Sequence, residues 1–207
     1  MHNGLDFKFA FVLFPPPFHV AWCVNLAANK AEVTLDPDTS NAFLVLSNDQ
    51  ISVRCGEEEQ DVPSNPGRFS LEPCVLGNNV FTSGHAWWEV HVIQGGEMWA
   101  LGVAKDTVRR KGNFIPSPDQ GIWAIGKPSS DSSPPYQLWA FTSPKPTPVS
   151  LKRNPRKIRV CLDYEEERVE FFDANTNHLI FAFPSASFSG QNLRPFFWVE
   201  PGACLRC

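Results

Sequence analysis

Asp163 and Glu165 stand two residues apart, a spacing that puts two carboxylates on one face of a β-strand, and paired carboxylates serve general acid–base chemistry. They lie, however, in Leu162-Asp-Tyr-Glu-Glu-Glu-Arg168, where a hairpin turn between apolar strands is expected and solvation explains the charges without catalysis. His85 and His91 fall near one strand, but six residues of strand separate them by roughly 20 Å, too far to chelate one ion unaided. Cys204-Leu-Arg-Cys207 has the spacing of a zinc knuckle, yet no second Cys/His pair completes the four ligands of a structural zinc. The sequence holds no G-x-S-x-G, no phosphate-binding G-x-x-x-x-G-K-[ST], no G-x-G-x-x-G and no H-E-x-x-H. Neither catalysis nor a cofactor nor a metal is expected.

Charge narrows the partners. Lys152-Arg-Asn-Pro-Arg-Lys157 and Arg109-Arg110-Lys111 are basic, but no aromatics interleave them and the net charge is -4. They read as solvated loops, and nucleic acid is not an expected partner. No apolar run approaches the length that spans a bilayer. Residues 1–28 include Phe9-Ala-Phe-Val-Leu-Phe14, which Pro15-Pro16-Pro17 ends too early for a signal peptide; they read as an irregular tail. The six cysteines, without an Asn-x-Ser/Thr sequon, are expected to be reduced in an intracellular chain.

The elements that position these residues are short strands. Length, 43% hydrophobic content and 19 prolines suit one β-rich domain with many loops. Ala31–Leu35 alternates; Phe43–Leu46 and Ile51–Val53 are short apolar runs. Trp87–Ile93 alternates with Trp88, Val90 and Val92 on one face, and Gly95-Gly96 leads into Met98–Val103, a hairpin pattern. Further strands are expected at 121–125, 136–141, 157–163, 168–172, 179–183 and 196–199, with loops at 105–120, 126–135 and 142–156. No sustained helical period occurs, so an all-β sandwich is expected.

Several motifs then occur in a recognisable order: Val33-Thr-Leu-Asp-Pro-Asp-Thr39, Arg68-Phe69, Pro73-Cys-Val-Leu-Gly77, Ser83-Gly84 and Trp88-Glu-Val90. Trp99-Ala-Leu-Gly-Val103, Val108-Arg-Arg-Lys-Gly112, Gly121-Ile-Trp123, Leu162-Asp-Tyr-Glu165 and Leu193-Arg-Pro-Phe-Phe197 follow. Together they resemble the PRY–SPRY domain of tripartite-motif ubiquitin ligases and butyrophilins. The resemblance implies a two-sheet, antiparallel, jelly-roll-like (concanavalin-like) sandwich over residues 29–203, with PRY about 29–78, SPRY about 79–203, and a C-terminal end at 204–207. It implies a non-catalytic recognition module in the cytoplasm, as in the target-binding end of tripartite-motif ligases of innate immunity, monomeric as this chain. Trp88, Trp99 and Leu162 are expected in the core.

Three departures from the family pattern stand out. Ala86-Trp87 replaces the usual His-Tyr, Glu166-Glu167 replaces a glycine-containing turn that is expected to differ, and Cys204–Cys207 is expected to cut the terminal strand short. No cluster of zinc ligands of the RING or B-box type precedes residue 29, so ligase activity would belong to a longer parent. A secreted ohanin-like protein and a butyrophilin-type ligand sensor stay open as alternatives. An unidentified protein partner is expected to meet the inter-strand loops through Asn113, Phe114, Lys127, Asp131, Tyr136, Trp139, Phe141, Asp173 and Asn175. Trp139 is the leading anchor, with a core position on strand 136–141 as its competitor.

Overall fold

In the computed structural model, which describes residues 29–128 and 137–207, alternation along the chain becomes two stacked antiparallel sheets. The strands are β1 (Leu44–Leu46), β2 (Ser52–Cys55), β3 (Cys74–Leu76), β4 (His85–Gly95), β5 (Trp99–Lys105), β6 (Ile122–Lys127) and β7 (Gln137–Ala140). They continue as β8 (Thr147–Ser150), β9 (Lys157–Asp163), β10 (Arg168–Asp173), β11 (Leu179–Phe183), β12 (Leu193–Val199) and β13 (Ala203–Arg206). The seven-stranded sheet runs β1-β2-β13-β4-β9-β10-β11 and the six-stranded sheet β3-β12-β5-β6-β7-β8. The described residues contain no α-helix, and none of their helices is long and apolar enough to cross a membrane.

Inward faces of both sheets meet in one apolar core. Trp88 and Val90 of β4 and Val160 and Leu162 of β9 pack toward Trp99, Leu101 and Val103 of β5, Trp123 and Ile125 of β6, and Phe197 of β12. Trp88, Trp99 and Leu162 are buried, as expected. Each large side chain so buried contributes about 1.5–3 kcal/mol. Val33 and Leu35 also face this core, but their segment pairs only through isolated bridges, Lys30 to Trp87 and Leu35 to Gly77. Two arginines anchor the early segments, one from within them and one from β12. Buried Arg68 donates to the carbonyls of Pro37 (2.8 Å), Ser40 (2.6 Å) and Pro63 (3.0 Å). Arg194 on β12 bonds Asp36 at 2.6 Å, Asp106 at 3.2 Å and the Gly77 carbonyl at 2.7 Å. Such charges are stable away from water only when paired this fully.

The β9–β10 hairpin forms as expected, from Asp163↔Arg168 to Ile158↔Asp173. Its turn does depart from a glycine turn: Glu167 itself takes the left-handed conformation at φ 49°. The turn is held from outside, since the Glu167 carbonyl accepts the Ala186 N–H (2.7 Å) and its carboxylate the Ser189 N–H (3.1 Å).

The expected hairpin through Gly95-Gly96 does not form. β4 pairs with β13 and β9, whereas β5 pairs with β12 and β6, so the turn carries the chain from one sheet to the other. The β12–β13 connection makes the same switch in reverse, and the two cross in contact. A Cβ on Gly96, which sits at φ 47°, would lie 2.2 Å from the Ala203 nitrogen and 2.4 Å from the Gly202 carbonyl carbon. Only a residue without a side chain permits that approach. The expected truncation of the terminal strand is also overturned: β13 is paired on both sides, by β2 and β4. β8 lies inside the expected 142–156 loop. It is an edge strand containing Pro148, and an edge is where proline is tolerated and where strand signals are weak.

Cys55, Cys74, Cys204 and Cys207 are free thiols, whereas Cys161 is disulfide-bonded, against the expectation of wholly reduced cysteines. Burial pushes the Cys207 thiol up to about 12 and Cys74 well above its ordinary value, which keeps both protonated at neutral pH.

Replacing Gly96 by Ala should cost more than about 2 kcal/mol in urea unfolding, because backbone must move. Gly190→Ala, at φ 67° with nothing within 4 Å of the added carbon, should cost only about 1 kcal/mol. Equal losses would show that backbone angle, not the crossing, governs Gly96.

Candidate functional site: the outer face of the six-stranded sheet

The pleat that turns Trp99, Leu101 and Val103 inward turns Ala100, Gly102 and Ala104 outward, and on β6 it does the same for Ala124 and Gly126. This outer face is therefore floored with small side chains. One part is roofed by the chain's own segments: Phe69, Val108 and Phe114 bury against Ala104, Ile122, Ala124, Phe141 and Phe196. One cross-strand row of this face runs Trp139 (β7), Gly126 (β6), Ala100 (β5) and Trp198 (β12), of which Gly126, Ala100 and Trp198 are buried and Trp139 is half-buried. Two indoles thus flank a floor of glycine and alanine. Gly126 has no room for a larger residue, since a Cβ there would meet the Trp99 carbonyl oxygen at 1.9 Å.

The two tryptophans differ in their state. Trp198 is buried, packs edge-on against Phe114 at 5.5 Å and donates its N–H to Glu200 at 3.0 Å. Trp139 is half-buried, on the strand face opposite Leu138 and Ala140, which belong to the core. Its indole N–H is buried without a hydrogen-bond partner. The rim beside Trp198 is acidic. Burial and then the Glu200 carboxylate hold Glu72 above the ordinary carboxylate range, against the Phe114 N–H that stabilises its charge.

The expected binding residues divide among several environments. Asn113 is exposed, and its carbonyl accepts from Arg109. Phe114 and Phe141 are buried, 7% and 3% exposed, so they act as core rather than as contact residues: each packs into the roof over small outward-facing neighbours. Lys127 is half-buried, and its ammonium donates to the Gly96 carbonyl, so it braces the sheet crossing. Asp131 and Tyr136 lie outside the described residues.

Asp173 and Asn175 belong to the other sheet, at the β10–β11 turn. Asp173 is buried, and burial alone would raise its pKa. The Asn175 N–H, the Thr176 hydroxyl and the Arg153 guanidinium at 3.2 Å outweigh that and hold it below its ordinary value. Asn175 is exposed beside it. Asp173 borders a separate groove of about 460 Å³, with Leu151, Pro155, Leu179 and Ile180 in its wall, and Asn175 lines a smaller one of about 240 Å³ beside it.

A larger groove, about 840 Å³, was not anticipated. Phe43, Leu71 and Ile93 expose apolar surface in it, and Glu200 and Pro73 join it to the edge of the Trp198 row. Phe43 carried a signal: it begins an apolar run, yet β1 starts one residue later and leaves its ring outside.

Fold and face together define a β-sandwich with a small-residue trough and aromatic flanks. The SPRY domain family matches residues 85–207, and the SPRY-associated (PRY) domain matches residues 33–81. This chain belongs to the SPRY family, in the PRY–SPRY arrangement, whose domains are protein-interaction modules and generally non-catalytic. Mouse butyrophilin subfamily 1 member A1 is 41% identical over 175 residues, covering 84% of this chain and 32% of that protein. Human E3 ubiquitin-protein ligase TRIM58 is 40% identical (82% and 33%), and bovine E3 ubiquitin-protein ligase TRIM21 is 43% identical (82% and 34%). The chain thus spans about a third of the length of these relatives. The crystal structure of the TRIM65 PSpry domain superposes with a TM-score of 0.73 at 21% identity, over 89% of this chain and 94% of that one. Stonustoxin superposes at 0.72 and 20% identity, over 86% of this chain and 28% of that one. At such identities these two likenesses establish the fold alone.

Phe114→Ala should cost about 3 kcal/mol on thermal or urea unfolding, as removal of a buried ring does. The adjacent Ile115, 70% exposed, should change stability by less than about 0.5 kcal/mol when replaced by Ala. A silent Phe114→Ala would return Phe114 to the contact surface.

Proposed function

We propose that this chain is a non-catalytic recognition module that holds a protein partner at Trp139, the half-buried end of the Trp139–Gly126–Ala100–Trp198 row. The observation that carries this reading is Trp139: a half-buried indole on the strand face opposite the core residues Leu138 and Ala140. A partner side chain packed on the exposed part of the ring gains apolar burial, and tryptophan is enriched among residues that dominate binding energy. The neighbouring Glu200 and Glu72 favour a partner with a basic or amide-rich contact over a phosphorylated small ligand. Exposed Asn113, next to Phe114 of the roof, is a further contact in this reading, and Asp131 and Tyr136 are proposed as contacts on the sequence alone.

The wider role we infer is that of a target-binding end in the cytoplasm, in the manner of tripartite-motif ligases of innate immunity. Relatives named as E3 ubiquitin-protein ligases support that role, and those named as butyrophilins are its counterweight. Ligase chemistry would be supplied by a RING domain elsewhere in a longer parent. Residues 29–203 act as the recognition domain in this reading.

Partners captured by proximity labelling with the wild-type chain should be lost with Trp139→Ala. Titration of a recovered partner should show a loss of at least about 2 kcal/mol, with little change in Tm. Unchanged affinity would remove Trp139 from the contact surface, and collapse of the fold would make it a core residue.

A further inference from the structure

We propose that His85, Asp163 and Glu165 form a divalent-cation site, suited to Zn²⁺, at the end of the seven-stranded sheet away from the β10–β11 turn. The ladder creates this grouping. His85 opens β4 directly opposite Asp163, the last residue of β9, and Glu165 follows in the β9–β10 turn. One ligand atom from each lies within 4.8 Å of the other two. His85 Nε2 and Asp163 Oδ2 are 3.3 Å apart. Two ligands held about 2.1 Å from a tetrahedral zinc ion stand ~3.4 Å apart, so this pair needs little adjustment to share an ion.

The carboxylates are already oriented by backbone donors. Asp163 Oδ1 accepts the Glu166 N–H at 3.0 Å, which leaves Oδ2 turned to the imidazole. Glu165 Oε1 accepts the Gly84 N–H at 2.6 Å, which draws the turn against the start of β4. Outer partners of this kind fix ligands in metal sites. Asp163 is 2% exposed, so one ligand is rigid, while His85 and Glu165 reach solvent and leave room for water as a further ligand.

The turn is also rich in negative charge. Asp163, Glu165, Glu166 and Glu167 crowd four carboxylates into five residues. Among the described residues no lysine or arginine ion-pairs with any of them, and Arg168 turns instead to Glu170. An imidazole nitrogen with two carboxylate oxygens suits a first-row divalent ion better than Ca²⁺ or Mg²⁺, which prefer all-oxygen shells.

The test is calorimetric titration of the full 207-residue chain with ZnCl₂, alongside His85→Gln and Glu165→Gln, with thermal unfolding of all three in EDTA to establish folding. Wild type should bind one ion at this site, and each substitution should weaken it at least about tenfold while Tm in EDTA is kept. Co²⁺ loading of the wild type should give a spectrum without a thiolate charge-transfer band. No zinc uptake by the wild type, equal uptake by both variants, or a thiolate band would each overturn the site, the last by assigning the ion to the cysteines.

Discussion

The sandwich depends on one close contact between backbones, where the β4–β5 connection passes the β12–β13 connection at Gly96 and Gly202–Ala203. Both connections move the chain between sheets. If they could not touch, β5 and β12 would not enter the six-stranded sheet side by side while β4 and β13 pair in the other. The Lys127 ammonium on the Gly96 carbonyl ties β6 to the same point. The interaction face is therefore built outward from the crossing, since β5, β6 and β12 carry three of the four residues in the tryptophan row.

That face follows from side-chain size as much as from loop shape. Large residues on β5 and β6 point inward and, Ile122 apart, small ones point outward, so the same strands that fill the core leave a low floor outside. The protein buries that floor, Ala100 included, beneath segments such as Phe69, Val108 and Phe114, and Trp139 stays half-buried at its end. What a partner would meet is the edge of a surface that the chain has closed for itself.

Much of this was legible in the sequence. Alternation in Trp87–Ile93 placed Trp88 and Val90 in the core, and 157–172 read as the hairpin it is, because period-two patterning reports directly which face is buried. Pairing partners were not legible. Gly95-Gly96 between two apolar runs has the local signature of a hairpin, and only the distant Gly202–Ala203 reveals it as a crossing. β8 was hidden by its prolines and β13 by its cysteines. Phe114 looked like a loop aromatic available for contact; what buries it, Phe69 and Trp198, lies more than forty residues away on either side. Asp163 and Glu165 looked like solvated turn residues because His85, their cross-strand neighbour, is distant in the chain.

The position of β13 has a consequence for the order of assembly. It lies between β2 and β4 yet follows them by more than a hundred residues. As a nascent chain emerges, β2 and β4 wait with facing edges unsatisfied, and every other strand is made before the gap is filled. Unpaired edges of this kind recruit other chains, and pairings so remote in sequence close slowly. The last strand of this sandwich thus acts as a keystone, and the interval before its arrival is when a chaperone, or a misplaced strand from a neighbour, would find the sheet open.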